Sequence, residues 1–216
     1  KLPNVLMSTT GPFAEYAGVL YYKEKDYDNA KRSFDQANRI NPNLGKSDYY
    51  KYVMALAEKK TDSAYQFIKS SFYRRARDFD IYRMLLNMAI VHRDSTEIIK
   101  AYQHYNGIHH QPKALTESAV SLLRTNVGTK KVMDFVEEEK QGFLAMDNPD
   151  PKADSLFLDM YNRIGQQFMT RKQPQEAYAV YQKGLEADPD NADLLFRIGL
   201  YHVAQKDYHQ AVEWLL

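Results

Sequence analysis

Two stretches of this chain fall on each other with a shift of 34 residues: Gly165, Ala177 and Tyr181 match Gly199, Ala211 and Leu215 within one helix, turn, helix pattern. A period of that length predicts stacked helical hairpins, because one such unit leaves an apolar face that only a neighbour of the same kind covers. A stack built this way has no closed centre. Function is therefore expected along an extended surface rather than in an enclosed active site.

The same pattern opens the chain. From Gly11 to Leu44 the residues Gly18, Tyr21, Ala30, Phe34, Ala37 and Pro42 alternate small and large side chains at helical spacing. Gly18 and Ala30 are small where two helices cross closely, Tyr21 and Phe34 fill the space beside them, and Pro42 ends the second helix for want of an amide donor. A second copy runs from Leu158 to Asn191 with Gly165, Phe168, Ala177, Tyr181, Gly184 and Pro189. A third starts at Ala192 with Leu195, Ile198, Gly199, Tyr208 and Ala211, and Asp26-Tyr27 and Asp207-Tyr208 take the same turn position.

Stepping by the same period from Gly11 gives further windows at Gly45, Phe79 and Lys113, each readable as two amphipathic helices broken by a polar turn. The turns are Lys59–Asp62, His92–Ser95 and Asn126–Thr129. The core-facing positions are Ala55, Ala64 and Ile68; Leu86, Ala89, Ile98 and Tyr102; and Val120, Leu123, Val132 and Val136.

This pattern resembles the tetratricopeptide repeat (TPR) family, whose small and large signature is met at every position of the first copy except the leading aromatic, here Ala14. His202 stands where the third copy should carry an aromatic. The resemblance implies an all-α, right-handed superhelical solenoid of about six TPR or TPR-like hairpins, the middle three degenerate, with twelve helices and no sheet. The expected organisation is an N-terminal extension at 1–10, four hairpins at 11–146, a proline-containing insertion at 147–157, and two clear repeats at 158–216, the last truncated. Two prolines between Asp147 and Pro151 cannot sit inside a helix, so the stack is expected to bend or split there.

Composition narrows the function classes. With 29 basic and 28 acidic side chains among 216 residues, the chain lacks the basic footprint of a nucleic-acid or membrane-surface binder. The absence of cysteine excludes disulfides and thiolate chemistry, and is compatible with a reducing or an oxidising compartment. No apolar run is long enough to insert into a membrane. Residues 1–10 lack the apolar segment of a secretory signal, and the chain stops on Trp214-Leu215-Leu216 inside an expected helix, which reads as a fragment or a processed form.

No residue set indicates catalysis, a cofactor or a metal. Gly128-Thr129-Lys130 lacks the spacing of a phosphate loop, His104, His109 and His110 lack partners at ligand spacing, and Glu137-Glu138-Glu139 reads as a solvated helix face. The segment Ser70–Arg77 mixes cations with aromatics, which fits either phosphate contact or cations at a helix C-terminus.

In the family that the chain resembles, the first helix of each hairpin lines the concave wall. That implies exposed inner positions at Glu15 and Val19; Tyr49, Tyr50 and Val53; Arg83, Met84 and Asn87; Glu117 and Ser121; Asn162, Arg163 and Gln166; and Phe196, Arg197 and Leu200. The candidate peptide-binding residues are Tyr49, Tyr50, Arg83, Asn87, Asn162, Arg163, Gln166 and Arg197. Arg163 and Arg197 occupy equivalent positions and are expected side by side, where their guanidinium forks suit carboxylates while the carboxamides suit peptide backbone. The alternative is that these are ordinary solvated side chains, and that at least one of Tyr49 and Tyr50 is core. A carboxylate clamp of the kind some TPR domains use on chaperone C-termini is not expected, since Glu15 and Val19 stand where lysine and asparagine are needed.

The expected function is a non-catalytic protein–protein interaction scaffold that takes a peptide or partner helix in its groove. The alternatives are self-association or docking through the uncapped C-terminal end, giving a possible homo-oligomer, and the sensor or scaffold part of a larger signalling or assembly protein.

Overall fold

The computed structural model describes residues 4–74, 78–125, 127–146 and 152–216, with residues 4–10 described by backbone only. Twelve α-helices and no strand occur among the described residues. They are α1 (Asn4–Lys23), α2 (Tyr27–Ile40), α3 (Gly45–Ala57), α4 (Thr61–Arg74), α5 (Phe79–Val91), α6 (Ser95–His109), α7 (Pro112–Leu123), α8 (Thr129–Leu144), α9 (Ala153–Thr170), α10 (Pro174–Ala187), α11 (Ala192–Ala204) and α12 (Tyr208–Leu215). The windows expected from Gly45 and Phe79 begin where α3 and α5 begin. Helix α1 starts at Asn4 and runs through Gly11 and Pro12, so the segment set apart as an extension continues into the first helix.

The backbone carries the 34-residue period as directly as the side chains do. Lys25, Lys59 and Arg93 have φ of 61°, 59° and 53°, and Lys172 and Lys206 have 58° and 63°, each set spaced at 34. Each ends the first helix of a pair in the left-handed region. The next amide then reaches back five residues: Asp26 to the Tyr21 carbonyl at 2.9 Å, Lys60 to Ala55 at 2.8 Å, Gln173 to Phe168 and Asp207 to His202 at 2.9 Å. These bonds satisfy carbonyls that the helix leaves open and turn the chain sharply. Asp26, Asp94 and Asp207 then cap the following helices by accepting from the Asn29, Glu97 and Gln210 amides.

Glycine sets the close crossing within three hairpins. A Cβ built on Gly18 would lie 2.5 Å from the Phe34 ring, on Gly165 2.1 Å from the Tyr181 ring, and on Gly199 2.6 Å from Leu215. In each case a large side chain sixteen residues later uses the space. Of the predicted core-facing positions, all are buried except the half-buried Val120. Tyr21 departs from expectation. It is exposed; the space at Gly18 is filled by the Phe34 ring, and Tyr22 and Tyr50 pack against the cluster that contains Phe34.

The contacts divide the chain into two units, Lys1–His92 with Gln103–His109, and Arg93–Tyr102 with His110–Leu216. In the first unit α1 packs on α2, α3 on α4, and Tyr82 of α5 stacks on Tyr105 at 4.6 Å. In the second, α7 packs on both α8 and α9, while α10 joins α9 to α11 and α11 pairs with α12. Asp147–Pro151, where a bend or split was expected, and Asn126 lie outside the described residues. The helices before and after 147–151 belong to the same unit.

Tyrosine is the main ring of both cores, and this fixes a pH dependence. The hydroxyls of Tyr52, Tyr105, Tyr161 and Tyr181 are all held above the ordinary tyrosine range, first by burial. Glu137 pushes Tyr161 further in the same direction, whereas Arg197 opposes the shift at Tyr181. The fold thus holds the neutral phenols, so their stabilisation is complete below about pH 10, the unfolded tyrosine value, and is lost as pH rises beyond it. The midpoint of thermal unfolding is expected to fall through this range, and Tyr161→Phe is expected to make the fall shallower. A midpoint unchanged through the same range would contradict this.

Candidate peptide-binding surface

In the first unit the N-terminal turns of α3 and α5, the end of α4 and the last turns of α6 enclose a cleft of about 1130 Å³. Its walls are Tyr49, Tyr73, Phe79, Ile81, Met84 and Ile108, and its charged edge is Lys46, Arg74, Asp78 and Asp80. Tyr73 and Ile108 are exposed. The charges are partly fixed: Asp78 accepts from the Asp80 amide at 2.8 Å, and Arg74 lies 2.7 Å from Asp48. His104 meets the rings of Phe72 and Tyr73 edge-on, at 5.5 and 5.1 Å. The result is an apolar recess with both signs of charge at its mouth.

The two adjacent tyrosines divide between roles. Tyr50 stacks on Phe34 at 5.3 Å and meets Tyr22 at 5.1 Å, which commits it to packing between hairpins. Tyr49 is half-buried and faces the cleft. Arg83 and Asn87 are exposed one turn apart on α5, and the neighbouring Met84 lines the cleft. Glu15 and Val19 are not exposed inner positions. Val19 is buried beside Phe34 and Met54, and Glu15 accepts from the Ser47 amide and hydroxyl at 3.1 Å, because α3 covers this face of α1.

In the second unit Asn162 borders a recess of about 230 Å³ with Asp159, Asn191 and Asp193, and its carboxamide accepts from Gln166 at 3.1 Å. Arg163 and Arg197 turn to different helices. Arg163 donates to Glu117 of α7 at 3.1 Å, whereas the Arg197 guanidinium lies near the Tyr181 hydroxyl of α10, with its Nε buried and without a hydrogen-bond partner. Arg163 is therefore bound by the chain itself, a consequence of inter-helix neighbours that spacing along one helix does not reveal.

Three charged features acquire partners that the sequence reading left out. Asp48, buried in α3, accepts from Asn38, Ser70 and Arg74, each at 2.7 Å, with Lys51 at 3.8 Å. Lys51 also pairs with Asp35. Ser70 and Arg74 lie four residues apart, hence on one face of α4, which was the available signal. Arg74 is thereby an internal partner, while Arg75, Ala76 and Arg77 lie outside the described residues. Glu137 and Glu139 are not merely solvated, for Tyr161 donates to Glu137 and Tyr102 to Glu139, both at 3.0 Å. Lys140 completes the first group by donating to the Tyr161 hydroxyl at 2.9 Å.

The tetratricopeptide repeat family model matches residues 17–44 and 158–191, the two segments that carry the glycine and ring pairs described above. Those two segments are tetratricopeptide repeats. Among solved structures, the repeat protein is similar to a chain of the Naa15/Naa10 complex bound to HypK-THB, with 13% identity and a TM-score of 0.59 over 94% of this chain. It spans 30% of that chain's length. Other similarities are to YrrB, described as a TPR protein with an unusual peptide-binding site (12% identity, TM-score 0.46, covering 89% of this chain and 90% of that one), and to the TPR2AB domain of yeast Sti1 in complex with pHSP90 (15% identity, TM-score 0.37, covering 96% and 88%). No curated protein matches the chain by sequence. No helix among the described residues is long and apolar enough to cross a membrane.

Proposed function

We propose that this repeat protein is a non-catalytic scaffold that captures an extended peptide or partner helix, and that the cleft of the first unit is its principal contact. The supporting observation is the apolar recess framed by Tyr49, Phe79 and Met84 with Lys46 and Asp80 at its edge. An aromatic or aliphatic anchor enters such a recess, and flanking charges on the ligand meet the rim; anchors of this kind supply most of the binding free energy in protein interfaces. Arg83 and Asn87 extend the surface along α5, and Asn162 with Gln166 offers a separate amide patch in the second unit.

Selection from a random displayed peptide library, followed by fluorescence anisotropy on the enriched sequences, tests this reading. Tyr49→Ala combined with Met84→Ala is expected to weaken the enriched peptides at least tenfold, about 1.4 kcal/mol, with the helical content intact. Peptides that bind the variant as tightly as the parent, or a selection that enriches nothing, would overturn it.

A further inference from the structure

The recess of the second unit stands at the register of the first-unit cleft. The left-handed turn residues Lys59 and Arg93 recur as Lys172 and Lys206, 113 residues on in both cases. The same step carries Lys46, Tyr49, Asp78 and Asp80 of the cleft onto Asp159, Asn162, Asn191 and Asp193, which line the smaller recess. Asp78 and Asn191 play one part in both, since their side-chain oxygens cap α5 and α11. One kind of hollow, between the N-terminal turns of alternate helices, therefore occurs in each unit with a different lining.

The differences are chemical. Tyr49, Phe79 and Met84 become Asn162, Ala192 and Arg197, so the aromatic lining belongs to the first hollow alone. The rim reverses sign at one position: Asp80 is kept as Asp193, whereas Lys46 becomes Asp159.

Most of the charge around the first cleft is already met. Arg74 and Lys51 share the buried Asp48, and Lys51 also pairs with Asp35, so two cations meet two anions. Asp78 is turned to the Asp80 amide. Lys46 and Asp80 are left over. Both are exposed, and neither side chain has an ion pair or hydrogen bond among the described residues. Lys46 stands on α3 and Asp80 on α5, so opposite charges without internal partners flank an apolar lining.

We infer that the cleft selects, among peptides with an apolar anchor, those that carry an acidic residue on one flank of the anchor and a basic residue on the other. Lys46 and Asp80 are the residues that read the two signs. The inference rests on the peptide-binding reading above and adds the partner's charge pattern to it. The anchor supplies affinity, whereas exposed rim charges discriminate, because a ligand charge of the wrong sign is repelled.

Selection from the displayed library, run on the parent and on Lys46→Asp, tests it, since that variant gives the first rim the signs of the second. The parent is expected to enrich anchors flanked by one acid and one base in a single order, and Lys46→Asp anchors flanked by bases. In fluorescence anisotropy at low ionic strength, the parent's best peptide is expected to bind Lys46→Asp about three- to tenfold more weakly, as reversal turns a modest surface attraction into repulsion. Changing that peptide's acid to lysine is expected to restore affinity for Lys46→Asp and lower it for the parent, and both differences are expected to shrink in about 0.5 M salt. Asp80→Asn is expected to remove the preference for the base. Lys46→Gln replaces Lys46→Asp if circular dichroism shows lost helicity, and is expected to remove the preference for the acid. Enriched peptides that need Tyr49 and Met84 yet show no charge preference, or that bind Lys46→Asp as tightly as the parent, would overturn this inference and leave the peptide-binding reading standing. A selection that enriches nothing, or peptides indifferent to Tyr49→Ala with Met84→Ala, would overturn both.

Discussion

Asp48→Ala is expected to lower the stability of the first unit by about 3–5 kcal/mol, the range for removing one partner of a buried charged cluster. The carboxylate is nearly out of water, with its side chain 4% exposed, and it accepts from Asn38 of α2 and from Ser70 and Arg74 of α4. One side chain on α3 therefore joins the helix before it to the helix after it. Its loss leaves three donors without their acceptor and the buried Lys51 ammonium with a single carboxylate, Asp35. Each buried donor left unsatisfied costs about 1–3 kcal/mol, so the effect exceeds that of the missing attraction alone. Asp35→Ala is the control. That carboxylate is 48% exposed, and its loss is expected to cost about 1 kcal/mol or less. Urea unfolding followed by circular dichroism measures both. A cost for Asp48→Ala no larger than for Asp35→Ala would show that Asn38, Ser70 and Arg74 find water instead.

The legible parts of this molecule are those in which cause and consequence lie within one hairpin. Gly18 with Phe34, and Gly165 with Tyr181, are size complements separated by one turn of chain, so the pattern of large and small residues names both members. The turns at Lys59–Asp62 and His92–Ser95 are legible for the same reason, since their polar residues interrupt two apolar periods. Partners further apart are not legible. Asp48 is 22 and 26 residues from Ser70 and Arg74, and Glu117 is 46 from Arg163; only the stacking of one hairpin on another brings them together. The candidate surface follows the same division. Tyr49 and Met84 could be placed on a wall by helical phase, whereas the turning of Arg163 and Arg197 toward the chain depended on what stood opposite them. Tyr50 and Tyr49 are neighbours with opposite fates because one helical step, about 100°, carries the first onto Phe34 and leaves the second at the cleft.

Gly165→Ala is expected to destabilise the second unit, against the ordinary preference of helices for alanine. In an exposed helix the exchange gains about 0.5–1 kcal/mol, because glycine loses more backbone freedom on folding. At Gly165 the new Cβ would sit 2.1 Å from Cε1 and 2.6 Å from Cζ of Tyr181, whose side chain is 2% exposed. The ring is buried with no open space to swing into, so α9 and α10 must move apart. Overpacking of this kind costs about 1–3 kcal/mol and occasionally more. Gly142→Ala supplies the opposite sign in the same unit. Gly142 is an exposed position of α8 with nothing within 4 Å of a built Cβ, so the exchange there is expected to raise stability by up to about 1 kcal/mol. Tyr181→Leu added to Gly165→Ala is expected to recover part of the loss, because Leu215 fills the matching space beside Gly199. Thermal unfolding of the three variants decides the matter. If Gly165→Ala melts no lower than the parent, the glycine is not what permits α9 and α10 to approach, and the three glycine and large-residue pairs lose their common explanation.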